Sequence, residues 1–273
     1  MKLKRILAVL LLAAILCLNL TSCSTVIIKL IEEQSSLNGG EAAEGGSEAN
    51  IEALVNEITE KKIRAVVTVV ATFQKGSFFS QSTQSTQSSG VIVSYKGRRL
   101  ILTNNHAVNY GNGYSLSSLK IVDCEGTEYA AQIYNGLGEP SCAPEYDLAC
   151  LYSQSIGADH EAFTLADKNP YKNEKVISLS TPSGQANAIS FGKVLAYEKP
   201  NLVDADAAIS NVTENVIWHS AKIRQGSSGG ALVNYDLELV GIHFAGTKTA
   251  NNGFADGCAI PVEMVIEFLD NYT

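Results

Sequence analysis

The chain is predicted to be all-β, a barrel or sandwich rather than a parallel α/β sheet. Twelve short apolar or β-branched runs follow one another between residues 64 and 262: RAVVTVVATF, SGVIVSY, RRLILTNN, LKIVDC, EYAAQIY, DLACLY, EKVISLS, AISFGKVLAY, NVIWHSA, GALVNY, LELVGIHFAG and GCAIPV. Gly, Asn, Ser and Pro punctuate them, and no helical pattern alternates with them. With 273 residues, 45% of them hydrophobic, the chain is long enough to bury one large core or two small ones.

The first elements are an address. Lys2, Lys4 and Arg5 precede an apolar run over residues 6–18, the length of a signal-peptide core and short for a membrane span. The run closes at Leu20-Thr21-Ser22-Cys23, which resembles a bacterial lipobox. Residues 1–22 are therefore expected to be a lipoprotein signal peptide. Cys23 is the expected lipidation site, anchoring the protein at the extracytoplasmic face of the cell membrane. Without residues 1–22 the chain carries 17 basic and 28 acidic residues, a net charge of −11. Residues 23–50 are expected to be a tether. From Gln34 they read QSSLNGGEAAEGGSEAN, too small and acidic to bury apolar surface. Ile51, Leu54, Val55 and Ile58 then recur at helical spacing, predicting an amphipathic helix over 51–62 at the start of a folded domain, 51–273.

Within that domain, QSTQSTQSS at 81–89 is low in complexity and reads as a flexible hairpin loop. At the other end, Val262, Val265, Ile266 and Leu269 predict a short C-terminal helix over 261–271. The whole chain has 20 Lys and Arg against 28 Asp and Glu, with a basic cluster only at its first five positions. This excludes nucleic-acid binding through a basic face. Cys124, Cys142, Cys150 and Cys258 form no CxxC pair and lie at no zinc-ligand spacing, so no metal is expected. Cys150 and Cys258 sit in apolar runs and read as buried thiols, while a Cys142–Cys150 disulfide is left open.

Three separated residues carry a chemistry. Gly226-Ser227-Ser228-Gly229-Gly230 sets a serine in a glycine turn between strands, where its hydroxyl projects and backbone N–H groups converge on one point. Upstream, LILTNNHAV ends an apolar strand at His106, and Tyr146-Asp147-Leu148 opens a buried strand with an aspartate. A serine becomes nucleophilic near neutral pH when a histidine oriented by a third group takes its proton.

The order His, Asp, Ser across a β-rich chain resembles the trypsin-like serine proteases, and TNNHAV, DLACL, STPSG, IRQGSSGGALVNYDLELVGI and GCAIP are closest to the bacterial HtrA-type branch. The resemblance covers residues 64–270 and implies two six-stranded antiparallel β-barrels. It implies a serine endopeptidase without metal or organic cofactor, acting on exposed or unfolded polypeptides. By position it makes Ser228 the nucleophile, His106 the base and Asp147 the group fixing the histidine tautomer, with the N–H groups of Gly226 and Ser228 as oxyanion hole. Phe244, Ala245 and Gly246 are expected to pair with an extended substrate. His243 resembles the histidine with which glutamyl endopeptidases bind an acidic side chain, and Lys222 would add positive charge. Against this, Ile223 stands where those enzymes carry Ser or Thr. Ser227 replaces the aspartate of pancreatic-type enzymes, so activation through a newly cut N-terminus is not expected. His160 and His219 are expected in surface or structural roles. The chain ends at Thr273, so the PDZ domain that usually follows in HtrA-type proteases is not expected.

Other functions fit less well. GSSGG satisfies the G-x-S-x-G of α/β-hydrolases, but only 45 residues follow Ser228, too few for the acid, the histidine and the fold. A lipid-anchored solute-binding protein would be a larger α/β structure. The remaining alternative is a non-catalytic or activator-dependent protease-fold protein that grips extended chains as an anchored chaperone.

Overall fold

The computed structural model describes residues 48–77, 80–182, 188–200, 209–248 and 254–273. The expected signal peptide, Cys23 and most of the tether lie outside the described residues. The helix α1, Glu48–Glu60, begins three residues before the predicted span and ends two residues short of it. A compact unit runs from Glu57 to Thr273, and its first feature is a 3₁₀ turn, Lys62–Ala65, with Ile63 and Ala65 buried.

The first half of this unit is an antiparallel sheet. β1 (Val66–Ser77) and β2 (Ser80–Tyr95) form a hairpin paired without a break from Val66↔Val91 to Ser77↔Ser80. The 81–89 stretch, expected as a loop, is therefore strand throughout. Its side chains are exposed from Gln81 to Ser85 and again at Gln87, so its composition imitates a loop, but pairing is a backbone property and β1 supplies every partner. β3 (Arg98–Thr103), β4 (Ser115–Val122), β5 (Glu128–Ala130), β6 (Gln132–Ile133), β7 (Cys142–Ala143) and β8 (Leu148–Tyr152) complete the sheet. The order is β5-β4-β1-β2-β3-β8-β6, with β7 also on β8. β6 and β7 are two-residue strands, too short to leave an alternation in sequence; the other six are the expected strands of this half.

The second half closes as predicted. β9 (Lys175–Ser180), β10 (Ala188–Glu198), β11 (Val216–His219), β12 (Ala231–Val233), β13 (Leu239–Lys248) and β14 (Phe254–Pro261) form a six-stranded barrel in the order β9-β10-β11-β14-β13-β12. Val176, Val194, Ile217, Leu232, Val240 and Ala259 fill it. Pro261 ends β14, and the C-terminal helix, here α3 (Val262–Tyr272), packs through Val262, Val265, Phe268 and Leu269.

A short segment joins the halves. The Phe163 N–H donates to Ile92 O at 2.9 Å and its carbonyl accepts from Ser94, while Ala166 N–H donates to Leu239 O at 3.0 Å. The two sheets are thereby held a few residues apart on one chain segment.

Candidate active site

β3 delivers the histidine. Leu100, Ile101, Leu102 and Thr103 are all buried, and the chain leaves them through Asn104 into the one-turn helix α2 (Asn105–Val108), which carries His106. Asp147, at the mouth of β8, has φ +48°, the left-handed region that Asp and Asn tolerate better than most residues. Its carboxylate is buried and holds His106 twice: Oδ1 accepts the His106 backbone N–H at 3.0 Å, and Oδ2 lies 2.7 Å from Nδ1. Its carbonyl accepts the Asn104 amide at 2.9 Å and the Asn105 N–H at 3.2 Å. Asn104 carried no catalytic signal in sequence; its role here is to fix the turn that aims the aspartate. The His106 side chain keeps 33% exposure. Its burial favours the neutral ring, but the charge of Asp147 and the hydrogen bond outweigh this and raise the pKa above the ordinary 6.5.

The serine turn is held from both halves. Gly226 and Gly229 have φ +89° and +83°. A Cβ on Gly229 would lie 2.1 Å from Ser89 O, so no larger residue fits without displacing β2. Gly229 N–H donates to His243 O at 2.8 Å and His243 N–H to Gly230 O at 2.9 Å, tying the turn to β13. From β2, Ser89 donates its N–H to Ser228 O at 2.8 Å and its hydroxyl to Gly226 O at 2.8 Å, and Thr103 Oγ1 in turn donates to Ser89 O. Ser227 is buried, accepting the Arg224 N–H at 3.0 Å and facing Ser180 Oγ at 3.1 Å. The Ser228 hydroxyl donates to Phe244 O at 3.4 Å. Among the described residues the N–H groups of Gly226 and Ser228 make no hydrogen bond within the chain. Ser89 and Thr103 were missed in sequence, since a serine in a polar repeat and a threonine at a strand end carry no distinctive pattern.

The specificity candidates separate. Phe244 is buried, while Ala245 and Gly246 are half-buried. β12 pairs with β13 only as far as Ile242, so among the described residues no strand covers that edge of residues 244–246. Lys222 is exposed, its N–H donating to Ser190 Oγ at 2.8 Å. His243 is fully buried, with Nε2 2.8 Å from Ser178 Oγ. The His219 ring lies 5.0 Å away and is also fully buried, a structural position. Burial lowers the His219 pKa to about 3, and burial together with the neighbouring His219 lowers that of His243 well below 6.5, so both rings are neutral. Both nitrogens of His219 and Nδ1 of His243 lack a well-formed hydrogen bond, their backbone neighbours Ala221 and Ala231 offsetting burial only weakly. His160 is half-buried on the first half, accepting the Gly157 N–H at 3.1 Å. Cys124, Cys142, Cys150 and Cys258 are free thiols, the last two buried as predicted.

Comparison with known proteins bears on the family and the fold. The model of the trypsin-like peptidase domain matches residues 88–242. The serine protease Do-like HtrA of Bacillus subtilis is 32% identical over 170 residues, 60% of this chain and 34% of that protein. The periplasmic serine endoprotease DegP of Salmonella typhimurium is 30% identical over 178 residues, 65% of this chain and 34% of that protein. The chain thus spans about a third of the length of these relatives. Among solved structures, the HtrA-type protease AlgW with a decapeptide superposes with a TM-score of 0.60 at 22% identity, covering 80% of this chain and 67% of that one. A protease from M. tuberculosis in its active form gives 0.61 at 16%, covering 81% and 86%. These two likenesses concern the fold.

Proposed function

The chain belongs to the trypsin-like peptidase domain family, and from that premise we propose that it is a serine endopeptidase cutting exposed or unfolded polypeptides outside the cytoplasm. The observation that carries this reading is the double hold of Asp147 on His106. Ser228 Oγ would leave Phe244 O, give its proton to His106 Nε2 and attack the scissile carbonyl. Asp147 keeps the proton of His106 on Nδ1, so that Nε2 is the free base, and stabilises the imidazolium that forms. The resulting oxyanion would accept the N–H groups of Gly226 and Ser228, which are uncommitted among the described residues. His106 then protonates the leaving amine, and water repeats the sequence on the acyl-enzyme.

Residues before the scissile bond would pair with the open edge at Phe244, Ala245 and Gly246. An acidic side chain is the preference proposed at that point. It is supported by the unpartnered Nδ1 of His243 behind the serine turn and by the exposed Lys222 six residues before Ser228. The neutral His243 would recognise a carboxylate by donating a hydrogen bond or by taking up a proton. The proposed organisation is a signal peptide over 1–22, a lipid anchor at Cys23 with a tether to residue 50, and a catalytic domain from 51. Its support is the sequence pattern of residues 1–50, with relatives named as periplasmic.

The test is labelling of the full chain, in detergent, by a fluorophosphonate serine probe. Labelling abolished in both Ser228→Ala and His106→Ala supports the reading; a folded wild-type protein that stays unlabelled in the presence of unfolded polypeptide refutes it.

A further inference from the structure

Asp147 closes a tight turn. β7 and β8 pair through Cys142↔Ala149 and Ala143↔Leu148, and Pro144, Glu145, Tyr146 and Asp147 connect them. Within the turn Tyr146 N–H donates to Ala143 O at 3.3 Å and Asp147 N–H to Pro144 O at 3.1 Å, both long for such bonds, while the Asp147 backbone stands at φ +48°. The turn's own bonds are thus a weak hold on the residue whose carboxylate orients His106. The last turn of α3 adds to them. The Tyr146 ring lies 6.1 Å from the Phe268 ring and edge-on to Tyr272 at 6.3 Å, and Phe268 and Tyr272 stack at 5.1 Å. Tyr272 OH donates to Glu145 Oε1, and Tyr272 O accepts the Ser141 hydroxyl.

We propose that Tyr272 is a positioning residue for the peptidase reaction, its ring fixing the turn that aims Asp147 at His106, an inference resting on the peptidase reading above. Among the described residues, every polar or ring contact that Tyr272 makes outside its own helix falls on 141–146, the stretch directly before the aspartate. The helix is itself seated on the second barrel through Val262 and Val265, and Phe268, fully buried, backs the Tyr146 ring. On its other side the turn meets Asn211, whose N–H donates to Pro144 O at 2.7 Å. Both braces come from the second half, the half that carries Ser228. Asp147 and His106, which belong to the first half, are therefore aligned by the half that holds the nucleophile. The tolerance is small. The Asp147 oxygens lie 3.0 and 2.7 Å from the two nitrogens of His106, so a shift of about 1 Å breaks these bonds, and a misplacement of that size costs about 10²-fold in rate.

The test is an NMR titration of histidine-labelled full-length protein in detergent, with His106 identified by its loss in His106→Ala, beside kcat and KM on a peptide substrate. In the wild-type protein His106 titrates above 6.5. Tyr272→Ala should move that titration down toward 6.5 and lower kcat by about 10²-fold, with KM changed by no more than about twofold. Tyr272→Phe keeps the ring on Tyr146 and loses only the bond to the exposed Glu145, so it should restore most of both. Val265→Ala removes a buried side chain from the same helix; it should lower the melting temperature yet leave the His106 titration where it is. Tyr146→Leu removes the same ring contact from the first half and must give the same downward shift, which decides the matter if Tyr272→Ala does not fold. A His106 titration unmoved in Tyr272→Ala and Tyr146→Leu, or moved as far by Val265→Ala, overturns the proposal and leaves Tyr272 a packing residue. The titration needs no turnover, so a wild-type protein that titrates as expected but cleaves nothing counts against the peptidase reading alone.

Discussion

Asp147 holds His106 by both carboxylate oxygens, one on the backbone N–H at 3.0 Å and one 2.7 Å from Nδ1, while its own backbone sits at φ +48°. A single residue thus holds the histidine in position and raises its pKa.

Asp147→Asn separates these roles. Asn tolerates the same backbone conformation, so the melting temperature should stay within a few degrees. The amide can present its NH₂ to Nδ1, stabilising the wrong tautomer, and kcat on a peptide substrate should fall by about 10³- to 10⁴-fold.

Activity and the His106 contribution to stability should move oppositely with pH. The base must be neutral, so kcat/KM should rise with pH along a limb centred above 6.5, and Asp147→Asn should move any residual limb downward. The folded-state pKa is raised, so protonated His106 stabilises the fold fully below the unfolded value of about 6.5, and this contribution is lost as pH rises through the folded pKa. A pH–rate profile beside urea unfolding at each pH checks both.

His219 works in the reverse sense. Its folded pKa is lowered to about 3, so the unfolded chain binds the proton first, and stability falls as pH drops from about 6.5 toward 3. The loss is at most about 1.4 kcal/mol per pH unit from this residue. His219→Phe keeps a planar ring and removes both unpartnered nitrogens, so its unfolding free energy should depend less steeply on pH over that window.

Two glycines with similar backbone angles should respond differently to alanine. Gly97, at φ +78°, has nothing within 4 Å of the point where a Cβ would stand, so Gly97→Ala should cost only the left-handed penalty of about 1 to 2 kcal/mol. Gly229→Ala adds a collision with Ser89 O and should cost about 3 kcal/mol or more while abolishing probe labelling of Ser228. Thermal melts of the two variants side by side make the comparison.

Much of this was legible in one dimension. Strand runs such as LILT and ALV, and the closing helix over Val262 to Tyr272, are local patterns in which side-chain type and spacing state the period directly. The glycines around Ser228 and the ordered His106, Asp147 and Ser228 motifs marked the candidate site for the same reason. What lay beyond sequence were relations between distant residues. That 81–89 is strand depended on β1 offering its backbone, and that Ser89 braces the serine turn depended on β2 crossing to the second half. That His219 and His243 share one buried space depended on the closure of a barrel. Periodicity records which way a side chain faces its own element, whereas a contact such as Ser89 Oγ on Gly226 O joins groups 137 residues apart, and only the packing of the two sheets decides which of them meet.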